Sequence, residues 1–264
     1  MLGGRSLRAE RVIGWTMVIE LVRRKDLYVL GLLVLVLIGA AATIDFFGVE
    51  GVESYLRELA STLTLLFTVL IAVAVVARQV PRETERGTIM PVLAKPITRW
   101  QFLFGKFLGA VACFSAALAA FWICSVVVMA VKSVAVTWIA VQALVLQWLG
   151  LVMLTALALL FSTVVSETAV SVTLSLLAYF LLKGFTSNIH ILGSAVSGVG
   201  GWAMGLAYTV VPHFEFYDTT QMMAFAPLQQ VLGVTDWLFF VGYALGYTGV
   251  FLGGAWLAFR RKRF

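Results

Sequence analysis

The chain has 264 residues, of which 61% are hydrophobic and only 12% charged, and its mean hydropathy is +1.00. Roughly a quarter of the residues in a water-soluble domain are charged, so this composition excludes a water-soluble protein. It predicts an all-α integral membrane protein. The formal net charge of +6 does not indicate nucleic-acid binding, because the basic residues cluster at the edges of apolar runs and form no basic stripe interleaved with aromatics.

The first predicted element is an interfacial helix over residues 5–25. Val12, Trp15, Ile19 and Val22 recur at helical spacing on one face, and three basic residues end the pattern. Since this stretch is charged and the apolar run after it is too long for the apolar region of a signal peptide, we expect no cleavable signal.

Six apolar runs are long enough to cross the roughly 30 Å hydrocarbon core as helices of about 20 residues. These predicted spans cover residues 27–44, 59–77, 107–129, 139–161, 168–183 and 236–259. The connection 45–58 carries four acids and one arginine, which places it outside. With both termini in the cytoplasm, sixteen of the nineteen basic residues lie on the cytoplasmic side. This distribution follows the positive-inside rule.

The stretch 189–211 is uncharged and long enough to span, but it contains five glycines and precedes Pro212. If it were a seventh span, Arg260–Arg263 would lie outside, which the positive-inside rule opposes. We therefore predict short re-entrant or interfacial helices here, within an outer loop that covers residues 184–235.

The interiors of the predicted spans contain no Asp, Glu, Lys, Arg or His. Their strongest polar groups, Gln142 and Gln147, are expected to form hydrogen bonds between helices. Imidazole and thioether groups suit copper, and the outer loop holds both types. These residues have no regular ligand spacing, so we predict no metal site at His190, His213, Met222 and Met223.

The charged segment 78–106 lies between the second and third spans and holds six of the nineteen basic residues. Ionised groups are costly in hydrocarbon, so the segment must be a loop in water, and its basic content makes it cytoplasmic. Two short helical segments are predicted here, separated at Gly87 and ended by Lys95-Pro96. Their small apolar face with flanking charges suits a protein groove, although a capped, solvated loop would give the same pattern.

The same loop carries a recognisable motif. The runs 83–89 (ETERGTI) and 93–102 (LAKPITRWQF), followed by Gly105-Lys106, resemble the signature of permease subunits of the type-2 ABC exporter family. Residues 161–169 (FSTVVSETA) resemble the second cytoplasmic turn of that family, and residues 208–218 (YTVVPHFEFYD) resemble its outer segment. The resemblance extends over essentially the whole chain.

The resemblance implies a single transmembrane domain in the plasma membrane that binds two copies of a separate cytoplasmic ATPase. It also implies pairing with a second permease subunit, identical or homologous, and leaves room for an accessory protein on the outer face. The residues implied to couple to the ATPase are Arg82, Glu83, Glu85, Arg86, Gly87, Thr88, Ile89, Lys95, Pro96 and Arg99. A second, smaller cytoplasmic contact is implied at Ser162, Thr163, Ser166 and Glu167.

ATP and Mg would then bind to the partner ATPase, and this chain would carry no cofactor, metal or catalytic residue of its own. Two other function classes remain open from the residues alone. A membrane-embedded enzyme would need polar catalytic groups in or near the core, and an ion-coupled carrier would need a charge near the midplane. The predicted spans offer neither group.

Overall fold

A computed structural model describes residues 52–79, 98–195, 208–225 and 231–261, together with a few isolated positions. The helices in these residues are α1 (Val52–Val76), α2 (Arg99–Val131), α3 (Trp138–Val164), α4 (Thr168–Ala195), α5 (Thr220–Ala224) and α6 (Val234–Arg261). A 3-10 helix, Phe214–Tyr217, precedes α5. No β-strand occurs in the described residues, which confirms the all-α prediction for this part of the chain.

Five helices are long and apolar enough to cross a membrane, namely Glu53–Val76, Arg99–Val131, Trp138–Val164, Thr168–Thr186 and Val234–Arg261. They correspond to the second to sixth predicted spans. The predicted interfacial helix 5–25 and first span 27–44 lie outside the described residues, as do residues 82–97 of the cytoplasmic loop and 196–204 of the outer loop.

Helix α2 is longer than the predicted span 107–129. Its 33 residues extend over about 50 Å at 1.5 Å per residue, more than the hydrocarbon core requires. The helix ends in a Schellman motif: Val134 N donates to Met129 O at 2.9 Å, and Ser133 N donates to Ala130 O at 3.1 Å. Ser133 has the left-handed φ of 56° that this motif needs. The added turns therefore lie at the start of the helix, in the segment predicted as loop.

Helix α4 continues to Ala195, past the predicted end of its span at Lys183. The predicted span 168–183 ends at this lysine. In the structure, its ammonium forms an ion pair with the carboxylate of Asp218. No proline or charged residue interrupts positions 184–195, so nothing in the sequence stops the helix there. The segment predicted as the beginning of the outer loop is therefore helical.

Helix α3 lies at the centre of the bundle. In its most apolar stretch 72% of the residues are buried, and 67% in α1, against 28% in α2, 17% in α4 and 22% in α6. A helix that is apolar all round is expected to be surrounded by protein, as α3 is. The other three helices present apolar side chains outward, which a lipid-facing or partner-facing surface requires.

Helices α3 and α6 run side by side in the same direction. At the outer end, Leu232 N donates to Gln142 Oε1 at 3.3 Å, just before α6 begins. Near the other end, a Cβ added to Gly254 would lie 3.3 Å from Leu160 Cδ1. The glycine thus permits close approach of the two helices.

Hydrogen bonds between side chains join α1 to its neighbours within the bundle. Gln147 Nε2 on α3 donates to Ser61 Oγ on α1 at 3.0 Å, which confirms the interhelical bond predicted for this glutamine. The hydroxyls of Thr64 and Ser125 lie 3.2 Å apart and connect α1 to α2. Bonds of this kind contribute roughly 0.6 kcal/mol each in a membrane bundle, so they add specificity more than stability.

Candidate functional site

The predicted cytoplasmic end of the bundle holds the start of α2, the turn between α3 and α4 and the end of α6. Among the residues predicted to couple to an ATPase, only Arg99 lies in the described part of the chain. The others lie outside it: Arg82, Glu83, Glu85, Arg86, Gly87, Thr88, Ile89, Lys95 and Pro96. The structure therefore describes the start of α2, where the loop that carries these residues ends.

A capping box fixes the start of α2. Thr98 Oγ1 accepts a hydrogen bond from Gln101 N at 3.3 Å, and Gln101 Oε1 accepts one from Thr98 N at 3.0 Å. The first N–H groups of a helix have no partner within it, and this reciprocal pair satisfies two donors. The sequence carries the signal, a threonine followed three residues later by a glutamine, but the sequence analysis did not use it.

Arg99 joins the first residue of α2 to the last turn of α6. Its Nη1 donates to Phe259 O at 2.8 Å and to Arg260 O at 3.0 Å. Its guanidinium carbon also lies 5.8 Å from the centre of the Phe259 ring. The last carbonyl groups of a helix lack intrahelical partners and carry partial negative charge, so a cation there is favourable. A residue predicted to contact an ATPase thus bonds within its own chain.

Aromatic rings of α2 and α6 pack beside this contact. The rings of Phe102 on α2 and Phe259 on α6 are both buried and stack with centroids 5.7 Å apart. Lys106 Nζ lies 5.6 Å from the Phe102 ring, and the Arg260 guanidinium lies 5.5 Å from the ring of Trp256. Cations over aromatic faces are attracted by the ring quadrupole. The basic residues at this end of the bundle therefore also stabilise the packing of the helices.

The predicted second contact lies in the short turn between α3 and α4. Ser162 and Thr163 are fully buried in the last turn of α3, and Thr163 Oγ1 donates to Leu160 O at 2.7 Å. Ser166 and Glu167 are exposed. Of the four residues in the predicted contact, only these two present their side chains to solvent.

At the opposite end, the outer segment 208–218 packs into the bundle. Phe214 and Tyr217 are only 2% and 3% exposed. Tyr217 Oη donates to Phe240 O on α6 at 2.7 Å. Gly150 on α3 makes room for this segment, because a Cβ there would lie 2.5 Å from Tyr217 Cβ. The motif recognised in the sequence therefore forms part of the core.

His213 is buried within an aromatic cluster in the middle of this segment. Its Nδ1 lies 2.7 Å from Tyr243 Oη, and its backbone N donates to the same hydroxyl at 3.0 Å. Its ring stacks on Phe216 at 5.0 Å and meets the edge of Tyr208 at 4.3 Å. Burial lowers the pKa of His213 below its ordinary value, although the nearby Glu215 carboxylate opposes this shift. Burial therefore favours the neutral form of the imidazole.

Asp218 closes the outer segment by bonding to two elements. Besides its ion pair with Lys183 on α4, its Oδ1 accepts hydrogen bonds from Thr220 N at 3.2 Å and Thr220 Oγ1 at 2.7 Å. Burial alone would raise the pKa of Asp218, but the hydrogen bonds from Lys183 and Thr220 hold it below its ordinary value. This pair joins residues far apart in the chain, and no local pattern in the sequence signals it.

Two of the residues considered as soft-metal ligands make other contacts in the structure. His213 is bonded to Tyr243, and Met223 packs in an apolar cluster with Leu56 and Met129. Within the described ranges, no three His, Cys, Asp or Glu side chains lie close enough to hold a metal ion. The side chain of His190 is not among those that the structure describes.

A small cavity lies between α1, α2 and α3. Its volume is about 20 Å³, which is room for a single water molecule. Its polar lining consists of Ser61, Thr64, Ser125 and Gln147. In the conformation of this structure, the cavity is too small for cargo of any kind.

A protein-family model matches most of the chain. The family model described as "ABC-2 family transporter protein" matches residues 13–263. The matched range includes the cytoplasmic loop, the turn between α3 and α4 and the outer segment. No curated protein was found to match the chain.

Proposed function

The chain belongs to the ABC-2 family of transporter proteins, and from this premise we propose that it couples ATP hydrolysis on a separate ATPase to the export of cargo. Membership makes it a multi-pass membrane subunit of an ABC transporter rather than an enzyme. The sequence contains no phosphate-cradling glycine-rich loop, so ATP and Mg would be bound by a cytoplasmic partner. We place the assembly in the plasma membrane, with two ATPase copies and a second permease subunit.

The observation that carries this proposal is the way the cytoplasmic loop enters the bundle. The loop after residue 79 reaches α2 at a start that a capping box fixes, and Arg99 bonds that start to the end of α6. A displacement of the loop would therefore move the ends of two long helices. This arrangement suits a mechanism in which nucleotide-driven closure of the ATPase pair pushes on residues 82–97.

The exposed turn between α3 and α4 would add a second point of contact. Only Ser166 and Glu167 have accessible side chains there, so the proposed contact narrows to these two residues. The buried Ser162 and Thr163 would instead keep the turn in place through the packing of α3.

Cargo would pass between this subunit and its partner rather than through the bundle. Residues in the centre of the bundle are closely packed, and the cavity beside Gln147 holds no more than a water molecule. The outward faces of α2, α4 and α6 are apolar, with exposed residues such as Ile123, Leu181 and Leu245. A pathway lined by such side chains favours amphiphilic or hydrophobic cargo.

Replacing both Glu85 and Arg86 by alanine tests the coupling role of the loop. These charges flank the apolar face of the predicted short helix, so their loss should weaken ATPase binding or stimulated hydrolysis roughly tenfold. The matched control replaces one acid and one base at the outer end, Glu215 and Lys132, by alanine. Normal ATPase binding and hydrolysis in the Glu85→Ala, Arg86→Ala variant would show that the loop is not the coupling element.

A further inference from the structure

The contact between the start of α2 and the end of α6, called here the α2–α6 joint, consists of Arg99 and Phe102 packed against Phe259 and against the backbone carbonyl group of Arg260. In its polar part, Arg99 Nη1 donates to two successive carbonyl groups at 2.8 and 3.0 Å. Bonds from a charged donor are about twice as strong as neutral ones, and the negative end of the α6 dipole favours the guanidinium.

The apolar part of the joint makes it rigid. Phe102 is 2% exposed and Phe259 is fully buried, and their rings stack within 15° of parallel. Buried aromatic pairs contribute beyond the area they bury, and close-packed side chains transmit displacement rather than absorb it. The charged bonds at the surface are thus supported by packing on the bundle side.

The joint lies at the exit of the loop that would receive movement from an ATPase. The capping box of Thr98 and Gln101 prevents the first turn of α2 from fraying, so a displacement of the loop reaches Arg99 directly. From α6 it can continue to α3, because Gly254 lets the two helices approach closely at Leu160. Arg99 therefore links the exit of the coupling loop to α6, in addition to the direct packing of α2 on α1 and α3.

We propose that Arg99 is a positioning residue that makes α2 and α6 move together when nucleotide-driven movement of the ATPase displaces the loop. The proposal rests on the coupling function above, but it assigns Arg99 a role within the chain rather than at the ATPase surface. Its side chain should influence how binding is converted into helix movement. It should have little influence on ATPase binding itself.

The test compares Arg99→Gln with Arg260→Gln in the complete complex of the chain with its ATPase, reconstituted in lipid nanodiscs. The control, Arg260→Gln, removes the same charge from an exposed arginine at the end of α6. The side chain of Arg260 lies over Trp256, and its backbone carbonyl still accepts the bond from Arg99 in the control. Three quantities are measured: ATPase recovered per chain, stimulated ATP hydrolysis, and the distance between spin labels at the exposed positions 100 and 261. Cys113 and Cys124 are replaced by serine, and labelled chains are diluted with unlabelled ones.

In the unsubstituted chain and in Arg260→Gln, the label distance should be the same with and without a non-hydrolysable ATP analogue. In Arg99→Gln, ATPase recovery should be unchanged. The distribution of distances between the two labels should become broader, and its mean should depend on the nucleotide. Stimulated hydrolysis per bound ATPase should fall roughly fivefold or more, the lower end of typical coupling between sites. Arg99→Lys keeps a cation and should restore part of both properties.

Two outcomes would overturn the proposal. If Arg99→Gln matches Arg260→Gln in hydrolysis and label distance, the joint does not transmit movement. If Arg99→Gln loses the ATPase altogether while Arg260→Gln keeps it, Arg99 is a contact for the ATPase and not a link between helices. Failure of the unsubstituted chain to bind any ATPase would instead contradict the proposed function, and with it this inference.

Discussion

Gly150 illustrates how a single residue positions the outer segment. The segment can reach Phe240 on α6 only because α3 has no side chain where Tyr217 passes. The nearest atom to an added Cβ is Tyr217 Cβ at 2.5 Å, which is the base of a side chain rather than its flexible end. Moving it would require the backbone of the 3-10 helix to move as well.

Replacing Gly150 by alanine should therefore lower stability by about 1–3 kcal/mol, the usual cost of overpacking a core. The measurement is thermal unfolding of the purified chain in detergent. Gly249→Ala on α6 is the control, because an added Cβ there meets nothing within 4 Å and alanine favours a helix. Equal melting temperatures for the two variants would show that the outer segment does not pack on α3 as described.

At the predicted cytoplasmic end, the sequence indicated which residues matter but not which groups they bond to. It selected Arg99 for its motif, but the carbonyl groups that this arginine binds lie 160 and 161 positions along the chain, beyond any local pattern. It grouped Ser162 and Thr163 with Ser166 and Glu167 because all four lie in the run that resembles the second cytoplasmic turn of the family. Burial separates them, and burial follows from which face of α3 packs inward.

At the scale of elements, the two threonines before α2 and α3 differ in the bonds they make. Thr98 caps α2 through its hydroxyl, whereas Thr137 occupies the same position before α3 without any side-chain capping bond. Only the first is followed three residues later by a glutamine that can complete a capping box. The pair therefore separates the effect of the capping bond from that of threonine itself.

Thr98→Ala should lower the stability of the first turn of α2 by about 0.5–2 kcal/mol, because the backbone N–H of Gln101 loses its acceptor. The expected result is faster hydrogen exchange in the first turn of α2. Thr137→Ala should leave exchange in the first turn of α3 nearly unchanged. Similar exchange rates at the start of α2 with and without the Thr98 hydroxyl would contradict the capping box.

The positions of five long helices could be predicted from apolar run length alone, because each run exceeds what the hydrocarbon core requires. Their ends could not. Helix α2 begins early because of its capping box, and α4 extends past Lys183 because that lysine finds an acidic partner on a later segment. Lys183 therefore does not mark the end of α4, although it is a charged residue.

At the scale of the whole molecule, burial is concentrated in α1 and α3, while α2, α4 and α6 present apolar surface outward. In membranes, such surface is covered by lipid or by another apolar subunit. We infer that part of it faces the second permease subunit and that cargo passes along this boundary. The cytoplasmic end would receive the ATPase, since it carries the loop and the exposed turn between α3 and α4.

The central claim is that this ABC-2 family member works as the permease of a complex driven by a separate ATPase. The most direct test is an affinity pull-down of the tagged chain from its native membrane in mild detergent, followed by protein identification. We expect recovery of an ABC ATPase in equal stoichiometry. The ATPase should be lost when residues 83–95 are scrambled and kept when residues 226–230 of the predicted outer loop are scrambled. Recovery of the chain without an ATPase, under conditions that preserve known transporter complexes, would contradict it.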